Sequence, residues 1–291
     1  MKKMPDIFAE KERTFSFEFF PPKTEKGYQN LLRHVAELAE LKPDFISCTY
    51  GAGGGNREKT FDIVQLIQKK HHIPGVAHLT CVLNSKAEIL DILKDIKSRG
   101  ICNVLALRGD PPLDNPDWKP GPDNFEYSYE LCRFIREHFG DYFGIGVAGF
   151  PEGHPLCRDR EKDAGFLKLK LDSGGDFVIT QLFWDNQDYF DYVKRLRNLG
   201  ITARVIPGLL PITGYEKMAG FCTKDGIKIT PEVREIFEPI KDDKDATLKA
   251  GIEFTVRKGR ELLDGGAPGL HFYTLNKSHP VREIVRQLKA V

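Results

Sequence analysis

Strand-like and helix-like segments alternate from one end of the 291-residue chain to the other, and few folds accept that pattern eight times without a break. Short β-rich runs fall at residues 14–20 (TFSFEFF), 44–50 (DFISCTY), 75–83 (GVAHLTCVL), 103–107 (NVLAL), 143–148 (FGIGVA), 176–183 (DFVITQLF), 203–207 (ARVIP) and 269–274 (GLHFYT). Between them apolar residues recur at helical spacing, as in Leu31, Leu32, Val35, Leu38 and Ala39, or Ile63, Leu66 and Ile67. Further helices are expected over 86–99, with Gly100 placed to end the first, and over 125–139, 162–171, 188–199 and 280–289. A longer helical region is expected across 215–263. The strand runs are apolar on both faces, as parallel strands covered by helices must be. An open doubly wound sheet would need fewer strands or a second domain, and no linker-like stretch divides this chain. The expectation is one α/β domain over residues 1–291, a (β/α)8 barrel of the TIM type.

Composition narrows the functions. Forty-three basic and 42 acidic residues leave a net charge of +1, so no broad field favours nucleic acid or an anionic membrane. No stretch approaches the roughly 20 apolar residues of a membrane helix, and the first 15 residues lack the apolar segment of a secretory signal. A cytoplasmic protein is expected. None of the six cysteines stands in a C-x-x-C pair, and several lie inside apolar runs as small buried thiols.

In a barrel of this kind the C-terminal ends of the strands carry the chemistry. Those ends offer Glu18, Thr49 and Tyr50, His78, the Arg108-Gly109-Asp110 triplet, Phe150 with His154, and Gln181. Glu18 sits between Phe17 and Phe19. It is either a buried ion-pair partner or a carboxyl whose aromatic neighbours raise its pKa until it can act as a general acid. His78 alone reads as readily as a core histidine. No second ligand stands at metal spacing, so no metal is expected. Gly109 allows the backbone close to a ligand, Asp110 offers an acceptor to the N–H groups of a heterocycle, and Gln181 offers both donor and acceptor. Gly51-Ala52-Gly53-Gly54-Gly55 follows a strand as a dinucleotide fingerprint would. However, Asn56 replaces the third glycine, and no acidic residue ends the next strand. Two Pro/Gly-rich loops, 111–122 and 149–155, have the composition of functional barrel loops.

Taken together, SFEFFPPKT (16–24), TYGAGG (49–54), HLTC (78–81), LALRGDPP (105–112), FPEGHP (150–155), TQLFWD (180–185), PGLLPI (207–212) and HFYTLN (271–276) resemble the methylenetetrahydrofolate reductase family along nearly the whole chain. The resemblance implies FAD lying across the strand ends. It also implies NAD(P)H and methylenetetrahydrofolate taking turns at one flavin face, with hydride passing through N5. By motif, Glu18 and Asp110 correspond to the catalytic pair: Glu18 assists opening of the folate ring to a 5-iminium ion, and Asp110 lies near flavin and pterin. Thr49, Tyr50, Ala52, His78, Arg108, Gly109, Asp110, Tyr127, Ser128, Phe150, His154, Asp163 and Lys170 fall on FAD-contacting positions. Asp110, Gln181, Tyr215 and Lys277 fall on substrate positions. Tyr215 stands where a phenylalanine is expected, and Phe150 replaces a common tyrosine. The resemblance further implies a homo-oligomer, and a catalytic barrel alone, without the C-terminal regulatory domain of eukaryotic members, is expected. Two other readings compete: an FAD-dependent barrel oxidoreductase of the proline dehydrogenase type, and a flavin- or folate-binding module without chemistry.

Overall fold

Strands buried on both faces must be wrapped in helices, and that is the arrangement found. In the computed structural model, which describes residues 1–50, 57–112, 115–157 and 159–290, the strands are β1 (Thr14–Phe19), β2 (Phe45–Cys48), β3 (Gly75–Thr80), β4 (Asn103–Leu107), β5 (Gly144–Gly149), β6 (Phe177–Thr180), β7 (Arg204–Ile206), β8 (Gly208–Leu209) and β9 (Gly269–Tyr273). All pair in parallel, in the order β7-β6-β5-β4-β3-β2-β1-β9-β8. The ninth strand is half of an expected one. Pro207 lies between β7 and β8 and has no N–H for the ladder. β7 therefore pairs with β6 and β8 with β9, while the Pro207 carbonyl accepts from His271 N–H at 2.9 Å. The bent strand joins the two ends of the sheet into a barrel.

The cover consists of α2 (Glu25–Ala39), α3 (Arg57–His71), α4 (Lys86–Ser98), α5 (Ser128–Phe139), α6 (Arg160–Asp172), α7 (Asn186–Asn198), α8 (Tyr215–Asp225), α9 (Pro231–Phe237), α10 (Lys244–Asp264) and α11 (Ser278–Lys289). The region expected as one long helix is thus three. Gly226 ends α8 in the left-handed conformation at φ 67°, Pro231 starts α9 at a position that suits proline, and a short 3₁₀ turn follows at Glu238–Ile240. The helix expected from residue 125 starts three residues later.

An unexpected helix, α1 (Met4–Glu10), closes the N-terminal end of the barrel. Its Met4 and Ile7 pack with Phe45, Val76, Leu105, Phe177, Ile179 and Ile206. The Met4 N–H donates to Asn103 Oδ1 at 2.7 Å, fixing the helix to the barrel floor. Above this apolar layer the inward positions become polar.

Candidate active site

Strand alternation decides which side chains meet on the barrel axis, because residues i and i+2 share a face. In β1 that places Ser16 and Glu18 inward. Phe17 and Phe19 instead join the outer core with Leu31 and Val35 of α2. The aromatics flanking Glu18 in sequence therefore do not surround its carboxylate. Its neighbours come from other strands, in register with it: Ser47 of β2 and Tyr273 of β9 pair with Glu18, and His271 pairs with Ser16.

The result is a carboxylate between two imidazoles. His271 Nε2 lies 3.4 Å from Glu18 Oε2, and Ser47 Oγ donates to the same oxygen at 3.4 Å. His78 Nε2 approaches it to 3.2 Å, out of line for a hydrogen bond. The second nitrogen of His271 is held by Ser16 Oγ at 2.8 Å, and its ring stacks on Phe45 in the layer below. Burial is the largest single influence on the Glu18 carboxyl and pushes its pKa up. The charge of His78, the hydrogen bond to His271 and the charge of His271 together override it, leaving a value of about 2. The expectation of a raised pKa thus fails on geometry: the charged partners are close, and Phe17 and Phe19 point away. His78 also lies two residues short of the end of β3, fully inside the barrel.

Around the mouth the other expected residues fall into groups. On the β4–β5 side, Gly109 has φ 82°, and a Cβ there would stand 2.8 Å from Val82 Cγ1 and 3.0 Å from Thr80 Cβ, so only glycine fits. Thr80 Oγ1, facing inward beside it, is buried with no hydrogen-bond partner among the described residues. Arg108, His154, Asp163 and Lys170 form a charged cluster. Burial pushes the Asp163 carboxyl up to about 6 against the opposing pull of Lys170 and of the His154 N–H. Burial likewise pushes Lys170 down, with Asp163 drawing it back, and pushes His154 down with help from Arg108 and Lys170. Lys170 Nζ donates to the Ala148 carbonyl at 3.0 Å and sits 5.7 Å from the centre of the Phe150 ring. The Phe150 ring in turn meets His154 edge-on at 4.6 Å.

The remaining positions are more dispersed. The Thr49 N–H donates to the Phe19 carbonyl and Tyr50 packs on Phe61. Asp110 is exposed, Ser128 is buried in the first turn of α5, and Tyr127 is exposed, stacked on Tyr129. Gln181 Oε1 accepts from the Leu182 N–H at 2.9 Å. Tyr215 donates to Glu238 Oε1 at 2.6 Å, and Lys277 Nζ reaches Thr213 Oγ1 at 3.5 Å. Ala52 and the glycine-rich turn around it lie outside the described residues.

Sequence reading passed over Ser16, Ser47, His271 and Tyr273. The Tyr273 hydroxyl donates to the Thr180 carbonyl at 2.6 Å, across a space that Gly208 leaves open, since a Cβ there would stand 2.7 Å from that ring. The signal was present: Ser16 lies two residues from Glu18, Ser47 and Tyr273 are in register with Glu18, and His271 is in register with Ser16. Reading only strand ends misses it. The loop after β9 is also strained, with Leu275 and Asn276 both at positive φ. It is pinned by paired hydrogen bonds between Asn276 and the Phe20 backbone.

The family model for methylenetetrahydrofolate reductase matches residues 3–289. The chain belongs to the methylenetetrahydrofolate reductase family. That family is one of oxidoreductases, and the relatives agree across kingdoms. "Methylenetetrahydrofolate reductase 1" of Schizosaccharomyces pombe is 39% identical over 277 residues, covering 94% of this chain and 46% of the relative. "Methylenetetrahydrofolate reductase (NADH) 1" of Arabidopsis thaliana is 38% identical over 286 residues, covering 94% and 48%. The chain therefore spans about half the length of these curated relatives. Against the "5,10-methylenetetrahydrofolate reductase" of Pectobacterium carotovorum it is 33% identical over 263 residues, covering 90% of this chain and 86% of that one. Among solved structures, a Clostridium thermocellum protein described as binding two copies of 5-methyl-5,6,7,8-tetrahydrofolic acid superposes with a TM-score of 0.65. It shares 16% identity over 98% of this chain and 97% of that one, a likeness of fold.

Proposed function

We propose that the chain reduces 5,10-methylenetetrahydrofolate to 5-methyltetrahydrofolate, with NAD(P)H as electron donor and FAD as cofactor. The observation that carries this reading is Glu18 on the barrel axis, gripped by His78, His271 and Ser47, in a chain of the reductase family.

The residues present suit a flavin. Gly109 lets the loop after β4 pack directly on Thr80 and Val82, and the orphaned Thr80 hydroxyl beside it would bond to the flavin ring. Arg108 and Lys170 would meet the cofactor's pyrophosphate, and Asp163, His154 and Ser128 would meet its sugar and phosphate groups. When bound, FAD supplies hydride transfer between nicotinamide and folate.

The protein's own work is to open the folate ring. In the substrate one methylene carbon bridges N5 and N10. As its bond to N10 breaks, N10 takes a proton and the positive charge passes to N5 and the methylene carbon, which then accepts hydride and becomes the methyl group. The proton for N10 would be held between Glu18 Oε2 and His271 Nε2, with His78 alongside. Because Glu18 is a carboxylate here, its negative charge would also stabilise the cation formed at N5. Ser16 fixes the His271 ring so that Nε2 faces the carboxylate, Gln181 and Asp110 orient the pterin, and the Tyr273 bridge to Thr180 holds β9 against β6.

An anaerobic flavin spectrum tests the reading. Bleaching by NADH or NADPH, followed by recovery on adding methylenetetrahydrofolate, is expected. Glu18→Gln is expected to bleach normally and to recover roughly 10²–10⁴-fold more slowly, the range of a lost general acid. Bleaching without recovery in the unmodified enzyme would refute the folate assignment and favour another barrel flavoenzyme. Flavin binding without bleaching would leave a binding module.

A further inference from the structure

Pro207 leaves a seam in the barrel. Pairing of β6 with β7 ends at Ile179 and Ile206, and β8 turns to β9. The carbonyl of Thr180, the last residue of β6, therefore lies beyond that ladder. The Gly208 N–H goes to the Thr180 hydroxyl instead, at 3.0 Å. The carbonyl is taken by a side chain, the Tyr273 hydroxyl, at 2.6 Å. Gly208 is bare where the phenol crosses: a Cβ there would collide with the Thr180 carbonyl and stand 2.7 Å from the Tyr273 hydroxyl. Burial, and then the charge of Glu18, holds the phenol well above its ordinary pKa, so it remains a donor.

Each end of this bond leads to a group of the site. On β6 the next residue is Gln181, whose N–H donates to the Gly149 carbonyl at 2.8 Å. The end of β6 is thus tied to β5 on one side and to β9 on the other. On β9, Tyr273 pairs with Glu18 in the ladder. The Thr274 N–H and hydroxyl both donate to the Glu18 carbonyl, at 3.2 and 2.6 Å. The Tyr273 ring meets His271, a partner of Glu18, edge-on at 5.4 Å. It also packs against the cluster that contains Leu210, Ile212 and Tyr215.

We propose that Tyr273 is a positioning residue for opening of the folate ring: its phenol fixes the span between the Glu18 carboxylate and the Gln181 amide. The proposal rests on the folate reading above. A pterin held by Gln181 presents N10 to Glu18 only while that span is kept. Phenylalanine would keep the ring against His271 and lose the tie to Thr180, leaving the end of β6 held by β5 alone. A misplacement of about 1 Å can cost about 10²-fold in such a step, and one lost hydrogen bond shifts the groups by less, so an effect of about tenfold is expected. Reduction of the flavin by nicotinamide puts no proton on N10 and depends less on the span.

The test is anaerobic stopped-flow spectroscopy of the flavin-loaded enzyme, with rates read per bound flavin, for the unmodified chain, Tyr273→Phe, Glu18→Gln and the double variant. In Tyr273→Phe, bleaching by NADH or NADPH should change by less than about twofold, while recovery at saturating methylenetetrahydrofolate slows about tenfold. The half-saturating folate concentration should change little. Because Tyr273 acts through Glu18, adding Tyr273→Phe to Glu18→Gln should slow recovery by less than about twofold more. A phenol that only held the fold would slow bleaching and recovery alike, or would add its full effect in the Glu18→Gln background, and either result overturns the proposal. So does a Tyr273→Phe chain that retains no flavin. Recovery of Tyr273→Phe at the unmodified rate would overturn the proposal and leave the folate reading intact. No recovery in the unmodified enzyme would overturn both.

Discussion

Glu18→Gln has a consequence for stability as well as for turnover. The carboxyl falls from an ordinary value of 4.5 to about 2 in the folded chain. At about 1.4 kcal/mol per tenfold change, that favours the ionised form by about 3 kcal/mol. The side chain is only 15% exposed, so solvent screening removes little of this. Glutamine keeps the shape and loses the charge, so the variant is expected to lose most of that energy at pH 5.5. For a 291-residue domain, unfolding entropy of about 2.1 cal/mol/K per residue converts about 3 kcal/mol into a Tm lower by about 5 °C. Because the folded value lies below the unfolded one, the contribution is complete above pH 4.5 and is lost as pH falls toward 2. The gap between the two melting curves should therefore narrow across that range. Differential scanning calorimetry of both proteins, free of nucleotide and folate, measures it. Burial acts in the opposite direction and is the largest single influence on this group. If it prevailed, Glu18→Gln would melt at the same or a higher temperature, and the two-imidazole account would be wrong.

Two further substitutions separate cofactor binding from folding. Gly109→Ala puts a methyl group 2.8 Å from Val82 at a backbone angle that alanine avoids. It should cost about 1–3 kcal/mol of stability, read as a lower Tm, and the purified protein should lose its visible flavin absorbance; a fully loaded variant would show that the β4 loop does not border the cofactor. Asp163→Asn should raise the Tm of the flavin-free protein at pH 7.5. A carboxyl lifted to about 6 costs stability above that pH and is relieved as pH falls toward 3.8. The same change should weaken flavin retention, measured by equilibrium dialysis, and a variant that is both less stable and fully loaded would contradict the assignment.

The barrel was legible because its signal is redundant. Parallel strands buried on both faces must be apolar throughout, and eight such runs separated by helical spacing admit few arrangements. What escaped was held by single contacts. α1 is seven residues long, and of these only Met4 and Ile7 are buried, too few to show a periodicity. The split of the region after residue 215 rests on Gly226 and Pro231, while apolar residues recur on both sides of each. Pro207 shows its effect only once its neighbours are known: it divides one strand between two pairing partners.

The site was legible in a different way, and less completely. Glu18 stands out because a carboxylate interrupts an aromatic run, yet that contrast points to the wrong environment. Residues adjacent in a strand face opposite ways, so Phe17 and Phe19 serve the outer core while Glu18 serves the axis. The groups that govern Glu18 are 29, 60 and 253 residues away, at Ser47, His78 and His271, and each sits inside a run that reads as ordinary core. Register links them: Glu18 pairs with Ser47, and Ser16 with His271, so a carboxylate in one strand and an imidazole in another become neighbours only when the barrel closes. A sequence can mark such a carboxyl as unusual, but whether its pKa rises or falls depends on what the other strands bring to it. Here they bring two imidazoles and a hydroxyl, and the carboxyl that looked like a stored proton is held ionised.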